Sequence, residues 1–195
     1  MKNYIIIGAF DLISHDNIYQ KLLEEDDYKI IFVEPIPLYY NKLINNCSRL
    51  KGQCFFENTA ISNKLEIIDI EYVREDYLPF YASYIDGCSS IVENGEPINI
   101  YLKKVNKIHR NSIKIQTISF EYLVNKYNLD SIDYLQIDTE GYDERIVRSI
   151  DLNKYKIKKL KFEHHYINDN FYSEMKELYP NYKSKILEAD IIFEL

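Results

Sequence analysis

Two carboxylates, Asp138 and Glu140, lie two residues apart at the point where an apolar run ends and Gly141 follows. The apolar run at 133–137 predicts a buried strand, and residues 142–150 show the spacing of an amphipathic helix. A carboxylate at the end of a strand can orient a hydroxyl group and remove its proton. An aspartate in this place can also cap the following helix. The pattern therefore predicts Asp138 as a base or a helix cap, and Glu140 as a structural or substrate-binding residue.

A histidine is the second candidate base. His164 and His165 follow a predicted strand at 158–162, and an imidazole titrates near neutral pH without a large shift. Side chains alternate along a strand, so we expect only one of the two to face the cleft, His165 as a base or His164 toward the substrate. A metal site that combines this pair with Asp138 or Glu163 is the alternative. No two of these residues have a ligand-type spacing, and no metal is predicted.

Predicted strands and helices alternate along most of the chain. Short connections between such units are typical of a doubly wound α/β sheet, in which ligands bind beyond the carboxyl ends of the strands. Ser119 is expected to cap one of the helices. Besides the elements already named, the hydrophobic pattern predicts strands at 4–8, 29–33, 53–56, 182–187 and 191–194, and helices at 17–25, 38–46, 120–128 and 171–179.

Glycine and polar residues follow the first three strands, and we expect them to form a cofactor site. Gly8 lets a ligand approach the backbone closely. Glu34 ends the neighbouring strand, where an acid can bind both hydroxyls of a ribose. The absence of a Gly-x-Gly-x-x-Gly pattern argues against a pyrophosphate and favours a nucleoside without one. The candidate cofactor-binding residues are Gly8, Ala9, Phe10, Asp11, Glu34, Pro35, Asn58 and Thr59.

The middle of the chain has a different pattern, with half-exposed strands predicted at 65–73, 98–105 and 113–118. Residues 77–97 show little periodicity, which predicts an irregular lid or substrate loop. An aromatic platform for a sugar ring is a further hypothesis, against ordinary surface tyrosines, for Tyr77, Tyr81 and Tyr84.

Length, charge and cysteine content restrict the class of protein. A chain of 195 residues predicts one domain over 1–195. The net charge of −7 argues against nucleic acid as a partner. Cys47, Cys54 and Cys88 include no Cys-x-x-Cys pair, so we expect a reducing, cytoplasmic location. No apolar run reaches the roughly 18 residues of a membrane span, and the run at 4–7 is too short for a signal peptide.

A series of motifs resembles the FkbM-type S-adenosylmethionine-dependent methyltransferases. The family opens with hydrophobic-Asp-hydrophobic-Gly-Ala-Asn-x-Gly, and its second strand ends with Glu-Pro-x-Pro. Its third strand leads into Ala-Ile-Ser, and Asp-x-Glu-Gly and Glu-x-His come later. The matching stretches are Ile6-Ile-Gly-Ala-Phe-Asp-Leu12, Glu34-Pro-Ile-Pro37, Ala60-Ile-Ser62, Asp138-Thr-Glu-Gly141 and Glu163-His-His165. The resemblance extends over nearly the whole chain.

This resemblance implies a fold and a reaction. The fold would be a Rossmann-like class I methyltransferase fold, with a mostly parallel seven-stranded sheet, helices on both faces and an antiparallel C-terminal strand. The cofactor would be S-adenosyl-L-methionine, and the reaction O-methylation of a hydroxyl on a sugar, a glycan or another small molecule. By the same resemblance Asp138 faces the transferred methyl group. Ser89 and Ser90 resemble the serine-containing loop near the active site of the family, which implies that they are substrate-binding residues, with a plain flexible loop as the alternative.

Two positions depart from the first motif of the family. Ile6 stands where the family has an acid, and Leu12 stands where it has a second glycine. In the family this loop wraps the methionine end of the cofactor, and Asp11 is expected to supply part of the missing polar contact. The departures support an alternative hypothesis, a degenerate methyltransferase fold without catalysis that serves as a binding or scaffold protein.

Overall fold

The structure of the chain is a computed structural model that describes residues 1–14 and 18–195, with only the backbone at residue 84. Position 17, where the first predicted helix begins, lies outside the described residues. In chain order the strands are β1 Lys2–Ile7, β2 Tyr28–Val33, β3 Gln53–Glu57, β4 Ala60–Ile61, β5 Ile67–Val73, β6 Ser89–Glu93, β7 Glu96–Pro97, β8 Arg110–Ile118, β9 Tyr134–Ile137, β10 Lys159–Glu163, β11 Lys183–Ile186 and β12 Asp190–Glu194. The helices are α1 Ile18–Glu24, α2 Pro37–Asn46, α3 Ile100–Lys104, α4 Phe120–Lys126, α5 Asp143–Arg148 and α6 Phe171–Leu178.

The main sheet has seven strands in the order β3-β2-β1-β9-β10-β12-β11. The first five pair in parallel, and β12 runs antiparallel to both of its neighbours. The chain first adds strands on one side of β1 and later places β9 on the other side. Such a reversal of strand order opens a crevice at the carboxyl ends of the two central strands, where ligands bind in this type of fold. The predicted α/β fold with an antiparallel final strand is confirmed.

Alternation along β1 builds the cores on the two faces of this sheet. Ile5 and Ile7 pack on one face with α4, α5 and α6. Tyr4 and Ile6 pack on the other face with α1 and α2. All four side chains are almost fully buried, which explains why this strand is a continuous apolar run rather than an alternating one. The predicted placement of helices on both faces is confirmed.

A second sheet is built from the middle of the chain, in the order β4-β8-β5-β6-β7. The predicted strands at 65–73 and 113–118 are present as β5 and β8, which pair antiparallel. The two-residue strand β4 pairs in parallel with the end of β8 and directly precedes Ser62. The long segment between β3 and β9 therefore forms a β-structure of its own.

Two predictions for this middle segment are wrong. Residues 98–105 do not form a strand, because the side chain of Asn99 accepts the backbone N–H groups of Tyr101 and Leu102 and starts α3. Residues 77–97 are not irregular throughout, since two 3-10 helices, Glu75–Phe80 and Ser83–Ile85, precede the β6–β7 hairpin. The hairpin turn is Asn94-Gly95, both with positive φ of 53° and 80°. An Asn-Gly pair is a strong hairpin signal in sequence.

None of the helices in the described part of the chain is long and apolar enough to cross a membrane.

Candidate active site

A cavity of about 200 Å³ lies at the carboxyl ends of β1, β2 and β9. Strands of the main sheet form one side of it, and β4, β5 and β6 of the second sheet form the other. Nine of the candidate residues line this cavity: Gly8, Phe10, Glu34, Pro35, Thr59, Ser89, Ser90, Asp138 and Glu140. We refer to Gly8, Glu34 and Asp138 as the main-sheet rim, and to Asp86, Ser90 and Asn99 as the second-sheet rim.

Gly8 brings the first loop against the end of β9. It has a φ of +78°, and a Cβ atom added there would lie 1.7 Å from the backbone oxygen of Asp138. The N–H of Asp138 in turn donates to the carbonyl of Ile7, 2.9 Å away. No side chain other than hydrogen can occupy this position without moving the backbone. The glycine of the first motif therefore sets the close approach of two strand ends beneath the cavity.

Glu34 is a buried carboxylate at the end of β2, with 4% of its surface exposed. It accepts the backbone N–H of Phe10 on Oε2 and that of Ile36 on Oε1, both at 2.9 Å. Burial raises the pKa of Glu34 to about 7, although these two donors act in the opposite direction. An ionised carboxylate has about four acceptor positions. Two of them remain for a ligand, which suits the two hydroxyls of a ribose.

The first loop turns its departing residues away from the cavity. Leu12 has a φ of +67°, the conformation that a glycine adopts without strain. Its side chain is buried with Ile6 in the core against α1 and α2. Asp11 accepts the backbone N–H groups of Ile13 and Ser14, at 3.0 and 2.9 Å, and therefore caps its own turn. Neither Ile6, Leu12 nor Asp11 lines the cavity, and the buried Ala9 does not line it either.

Asp138 presents an exposed side chain at the cavity wall. The turn that follows it is held by Asp143, which is 2% exposed and lies in the first turn of α5. Asp143 accepts the hydroxyl of Thr139 at 2.9 Å and the backbone N–H of Gly141 at 3.3 Å. Burial, reinforced by the charge of Glu163, raises the pKa of Asp143 to about 6. Asp143 therefore holds the turn before α5, whose N-cap position is Tyr142 and has no side-chain cap bond, so Asp138 is not the cap of this helix.

Glu140 connects this turn to the second sheet. It has a positive φ of 56°, and its carboxylate accepts the side-chain amide of Asn99. Burial first, and the neighbouring carboxylates of Asp138, Glu163 and Asp143 next, raise the pKa of Glu140 to about 9. Glu140 is therefore expected to be protonated at neutral pH in the ligand-free protein. Arg145, the nearest basic residue in sequence, pairs with Glu93 of β6 instead.

The second-sheet rim is a network of side chains. The backbone N–H of Asn99 donates to the hydroxyl of Ser90 at 2.9 Å, and that hydroxyl donates to the carbonyl of Ile91 at 3.1 Å. Ser90 is 2% exposed and Asn99 is fully buried. Ser90 therefore lines the cavity while its hydroxyl stabilises the rim, and Ser89 lines the cavity beside it.

The residues after β3 have separate tasks. Asn58 donates its side-chain amide to the carbonyl groups of Glu34 and Pro35, at 2.8 and 3.0 Å. It therefore fixes the backbone that carries Glu34 and does not itself line the cavity. Thr59 lines the cavity, but its hydroxyl donates to the carbonyl of Gln116 at 2.6 Å.

The histidine pair lies outside the cavity lining. The β10 strand ends at Glu163, so the alternation of faces expected for His164 and His165 does not apply. The two rings stack on each other with centroids 5.4 Å apart. His165 Nδ1 lies 2.9 Å from Oε1 of Glu163, and His164 Nε2 lies 3.3 Å from the carbonyl of Leu187. Asp138 is thus the candidate base that borders the cavity.

The aromatic platform proposed for the sugar ring is not formed by Tyr77 and Tyr81. The ring of Tyr77 stacks on His109 at 3.9 Å, and the guanidinium of Arg74 lies 4.9 Å from its centre. The hydroxyl of Tyr81 lies 2.7 Å from Nδ1 of His109. Both tyrosines thus contact His109, and neither lines the cavity. The side chain of residue 84 lies outside the described part of the structure.

Within the described ranges, 1–14 and 18–195, no group of three or more His, Cys, Asp or Glu side chains has an arrangement that could hold a metal ion.

Sequence reasoning missed three residues that shape the site, namely Asp86, Asn99 and Asp143. An acid in the first turn after Gly141 is a recognisable helix-start signal, so Asp143 was accessible from the sequence. The alternating apolar residues around Asn99 predicted a strand, so its role as a helix cap was not recognised. Asp86 gives no local signal, because its place at the cavity depends on contacts distant in sequence.

The Methyltransferase FkbM domain matches residues 7–185, and the chain therefore belongs to this family. A comparison with curated protein sequences found no match. Among solved structures, the chain is similar to the human methyltransferase 10 domain containing protein (7% identity, TM-score 0.43, 100% of this chain and 71% of that chain covered). It is also similar to a chain of a fibrillarin/Nop5p complex (8% identity, TM-score 0.45, 98% of this chain and 70% of that chain covered). A third similar structure is the N-terminal domain of human METTL16 in complex with SAH (9% identity, TM-score 0.41, 100% of this chain and 61% of that chain covered). Because these identities and TM-scores are low, membership of the family is assigned from the domain match alone.

The cavity suits the cofactor of such an enzyme in two respects. Gly8 borders the cavity and carries no side chain, and its missing Cβ lets the ends of β1 and β9 approach each other beneath the cavity. Glu34 keeps acceptor positions free at the place where nucleoside-binding folds hold a ribose. The chain thus has a methyltransferase fold and a cavity compatible with S-adenosylmethionine.

Proposed function

We propose that the protein is an S-adenosylmethionine-dependent O-methyltransferase that acts on a hydroxyl of a sugar, a glycan or another small molecule. The observation that carries this proposal is that Gly8, Glu34 and Asp138 follow three different strands and border one cavity. Gly8 and Glu34 are the residues we assign to the cofactor, with Phe10 and Pro35 beside them. Asp138 is assigned to the acceptor.

The cofactor supplies a methyl group on a positively charged sulfur, which is transferred by in-line displacement. The protein therefore has to align the acceptor oxygen with the methyl carbon, and most of the rate enhancement comes from this positioning. Asp138 accepts the proton of the acceptor hydroxyl as the new bond forms. The turn of Asp138 is fixed by Gly8 beneath it and by Asp143 behind it, which holds the base in one orientation.

The substrate class is supported by resemblance and by charge. Members of the family often accompany polysaccharide or glycan assembly, so a sugar hydroxyl is our first choice of acceptor. The net charge of −7 and the acidic cavity lining disfavour a nucleic acid acceptor. The free cysteines at 47, 54 and 88 accord with the proposed reducing, cytoplasmic location. We also propose that residues 1–195 act as one domain, with residues 77–97 as the substrate-side cover.

The alternative of a non-catalytic scaffold rested on Ile6 and Leu12. Both side chains are buried in the core against α1 and α2 and leave the cavity open. No further observation favours that alternative, and we do not adopt it.

The test is a methyl-transfer assay with labelled S-adenosylmethionine and a panel of sugars that differ in which hydroxyl groups are free. We expect label to enter one group of related sugars and to be lost when a single hydroxyl is blocked. Binding of the cofactor without transfer to any acceptor of the panel would contradict the assignment of a sugar hydroxyl. RNA included in the same panel tests the disfavoured acceptor directly.

A further inference from the structure

Four buried side-chain atoms have no hydrogen-bond partner among the described residues: the hydroxyls of Tyr39 and Tyr166, Oδ1 of Asp86 and Oε2 of Glu163. A buried carboxylate oxygen without a donor is costly, because it has lost water and gained nothing in return. Such groups in a native protein call for an explanation, and a missing ligand is one. Of the four residues, Asp86 borders the cavity itself.

Asp86 lies opposite the loop that follows β1. Its neighbour Gly87 packs on the ring of Phe10, since a Cβ at Gly87 would lie 3.2 Å from that ring. Phe10 also contacts Tyr39, with ring centroids 4.5 Å apart. Burial first, and the charge of Asp86 next, raise the pKa of Tyr39, while the backbone N–H of Gly87 acts in the opposite direction. Asp86 therefore lies beside the first loop with one carboxylate oxygen that has no donor among the described residues.

The place of Asp86 indicates which part of the cofactor it meets. In nucleoside-binding α/β folds the acid after the second strand binds the ribose, and the 5′ substituent extends over the turn after the first strand. Here the acid is Glu34 and the turn contains Phe10. Asp86 thus faces the 5′ substituent, which in S-adenosylmethionine is an α-amino acid with an ammonium and a carboxylate group.

The charge of the cavity accords with this assignment. Among the described residues that line it, four are acids, Glu34, Asp86, Asp138 and Glu140, and none is a lysine, arginine or histidine. An ammonium group offers three donors and a positive charge to the carboxylates of this wall, of which Glu140 is the one expected to be protonated in the ligand-free protein.

We propose that Asp86 binds the α-ammonium group of the cofactor. This inference rests on the proposed function, because it assumes S-adenosylmethionine in the cavity. It assigns to the second sheet the polar contact that Ile6 and Leu12 of the first loop do not supply.

The test compares two ligands by titration calorimetry. S-Adenosylhomocysteine carries the amino acid, whereas 5′-methylthioadenosine keeps the adenine, ribose and thioether but lacks it. We expect Asp86→Asn to raise the dissociation constant of S-adenosylhomocysteine about 10- to 100-fold, the range of a charge-assisted hydrogen bond. The dissociation constant of 5′-methylthioadenosine should change less than about twofold. Glu34→Gln should weaken both ligands.

The control is Asp76→Asn, which removes an acid from the same part of the chain. Asp76 pairs with Arg74 at the surface, 2.8 Å apart, and does not line the cavity. This variant should bind both ligands as the wild type does. Equal losses for both ligands in Asp86→Asn, or no loss for either, would overturn the assignment while leaving the proposed function intact. Failure of the wild type to bind either ligand at millimolar concentration would overturn the proposed function and this inference with it.

Discussion

The two rims of the cavity are built by different means. The main-sheet rim depends on the backbone, because Gly8 and Glu34 are held by main-chain groups at strand ends and Asp138 is anchored by its own N–H. The second-sheet rim depends on side chains, since Asn99 connects Ser90, α3 and Glu140 in one network. A rim set by strand ends is rigid, whereas a rim set by a few side chains can change with protonation. The ribose of the cofactor is therefore assigned to the main-sheet rim, and the part of the site that responds to pH is assigned to the second-sheet rim.

The largest effect is expected from the base of the main-sheet rim. Asp138→Asn should lower turnover by about 10²- to 10⁴-fold, because the amide keeps the shape but cannot take the acceptor proton. The dissociation constant of S-adenosylhomocysteine should stay within about threefold of the wild-type value. The measurement is steady-state methyl transfer together with calorimetry. Full turnover in the variant would remove Asp138 as the base.

A smaller effect is expected from the backbone approach at Gly8. Gly8→Ala should destabilise the fold by about 3 kcal/mol, because a Cβ would overlap the Asp138 carbonyl and the φ of +78° is unfavourable. Gly95→Ala is the matched control, with a φ of +80° and nothing within 4 Å of the added Cβ. The Gly95→Ala substitution should lower the free energy of unfolding by about 1 kcal/mol. Equal losses in chemical denaturation would mean that the close approach contributes nothing.

The second-sheet rim can be broken at Asn99. Asn99→Ala removes the cap of α3 and the donor to Glu140, and should cost about 2 kcal/mol. Asn106→Ala is the control, because Asn106 caps only the short 3-10 helix Lys107–His109 at the surface. That variant should cost about half as much or less. If both variants lose the same stability, the bridge from Asn99 to Glu140 is not a significant part of the rim.

The smallest effect is a dependence on pH that belongs to the second-sheet rim. The pKa of Glu140 is raised from an ordinary 4.5 to about 9, so its stabilising contribution is complete below about pH 4.5 and is lost as the pH rises through 9. The glutamine of the Glu140→Gln variant stays neutral at all these pH values, so the variant should keep this stabilising contribution. Thermal midpoints of the two proteins should therefore agree near pH 5 and diverge toward pH 9, with the variant higher by roughly 2–4 °C, equivalent to about 1 kcal/mol. Parallel pH profiles would contradict the assignment.

The difference between the rims also explains what the sequence could predict. Strands of the main sheet are short apolar runs ended by Gly8, Glu34 or Asp138, and local pattern was enough to predict them. The order of these strands gave the position of the cavity through a general rule of doubly wound sheets. The parallel sheet and its helices were therefore predicted correctly. Gly8, Glu34 and Asp138 border one cavity, as expected, and their roles stay predictions.

The second sheet was harder to predict because its local signals compete. Alternating apolar residues at 98, 100 and 102 indicated a strand, but the capping side chain of Asn99 and its contact with Glu140, 41 residues away, favoured a helix. The Asn94-Gly95 pair is a hairpin signal that the weak periodicity of residues 77–97 concealed. No local pattern could indicate that Asp86 would border the cavity or that Asn99 would donate to Glu140, since both depend on how the second sheet folds back.

The most direct test of the central claim is titration calorimetry of the wild-type protein with S-adenosylhomocysteine. The account predicts binding at micromolar concentration. At one hundred times the dissociation constant, the ligand should stabilise the fold by about 2.7 kcal/mol, and the thermal midpoint should rise accordingly. No heat and no shift of the midpoint at millimolar ligand would contradict the claim that this cavity is a cofactor site, and would restore the scaffold hypothesis.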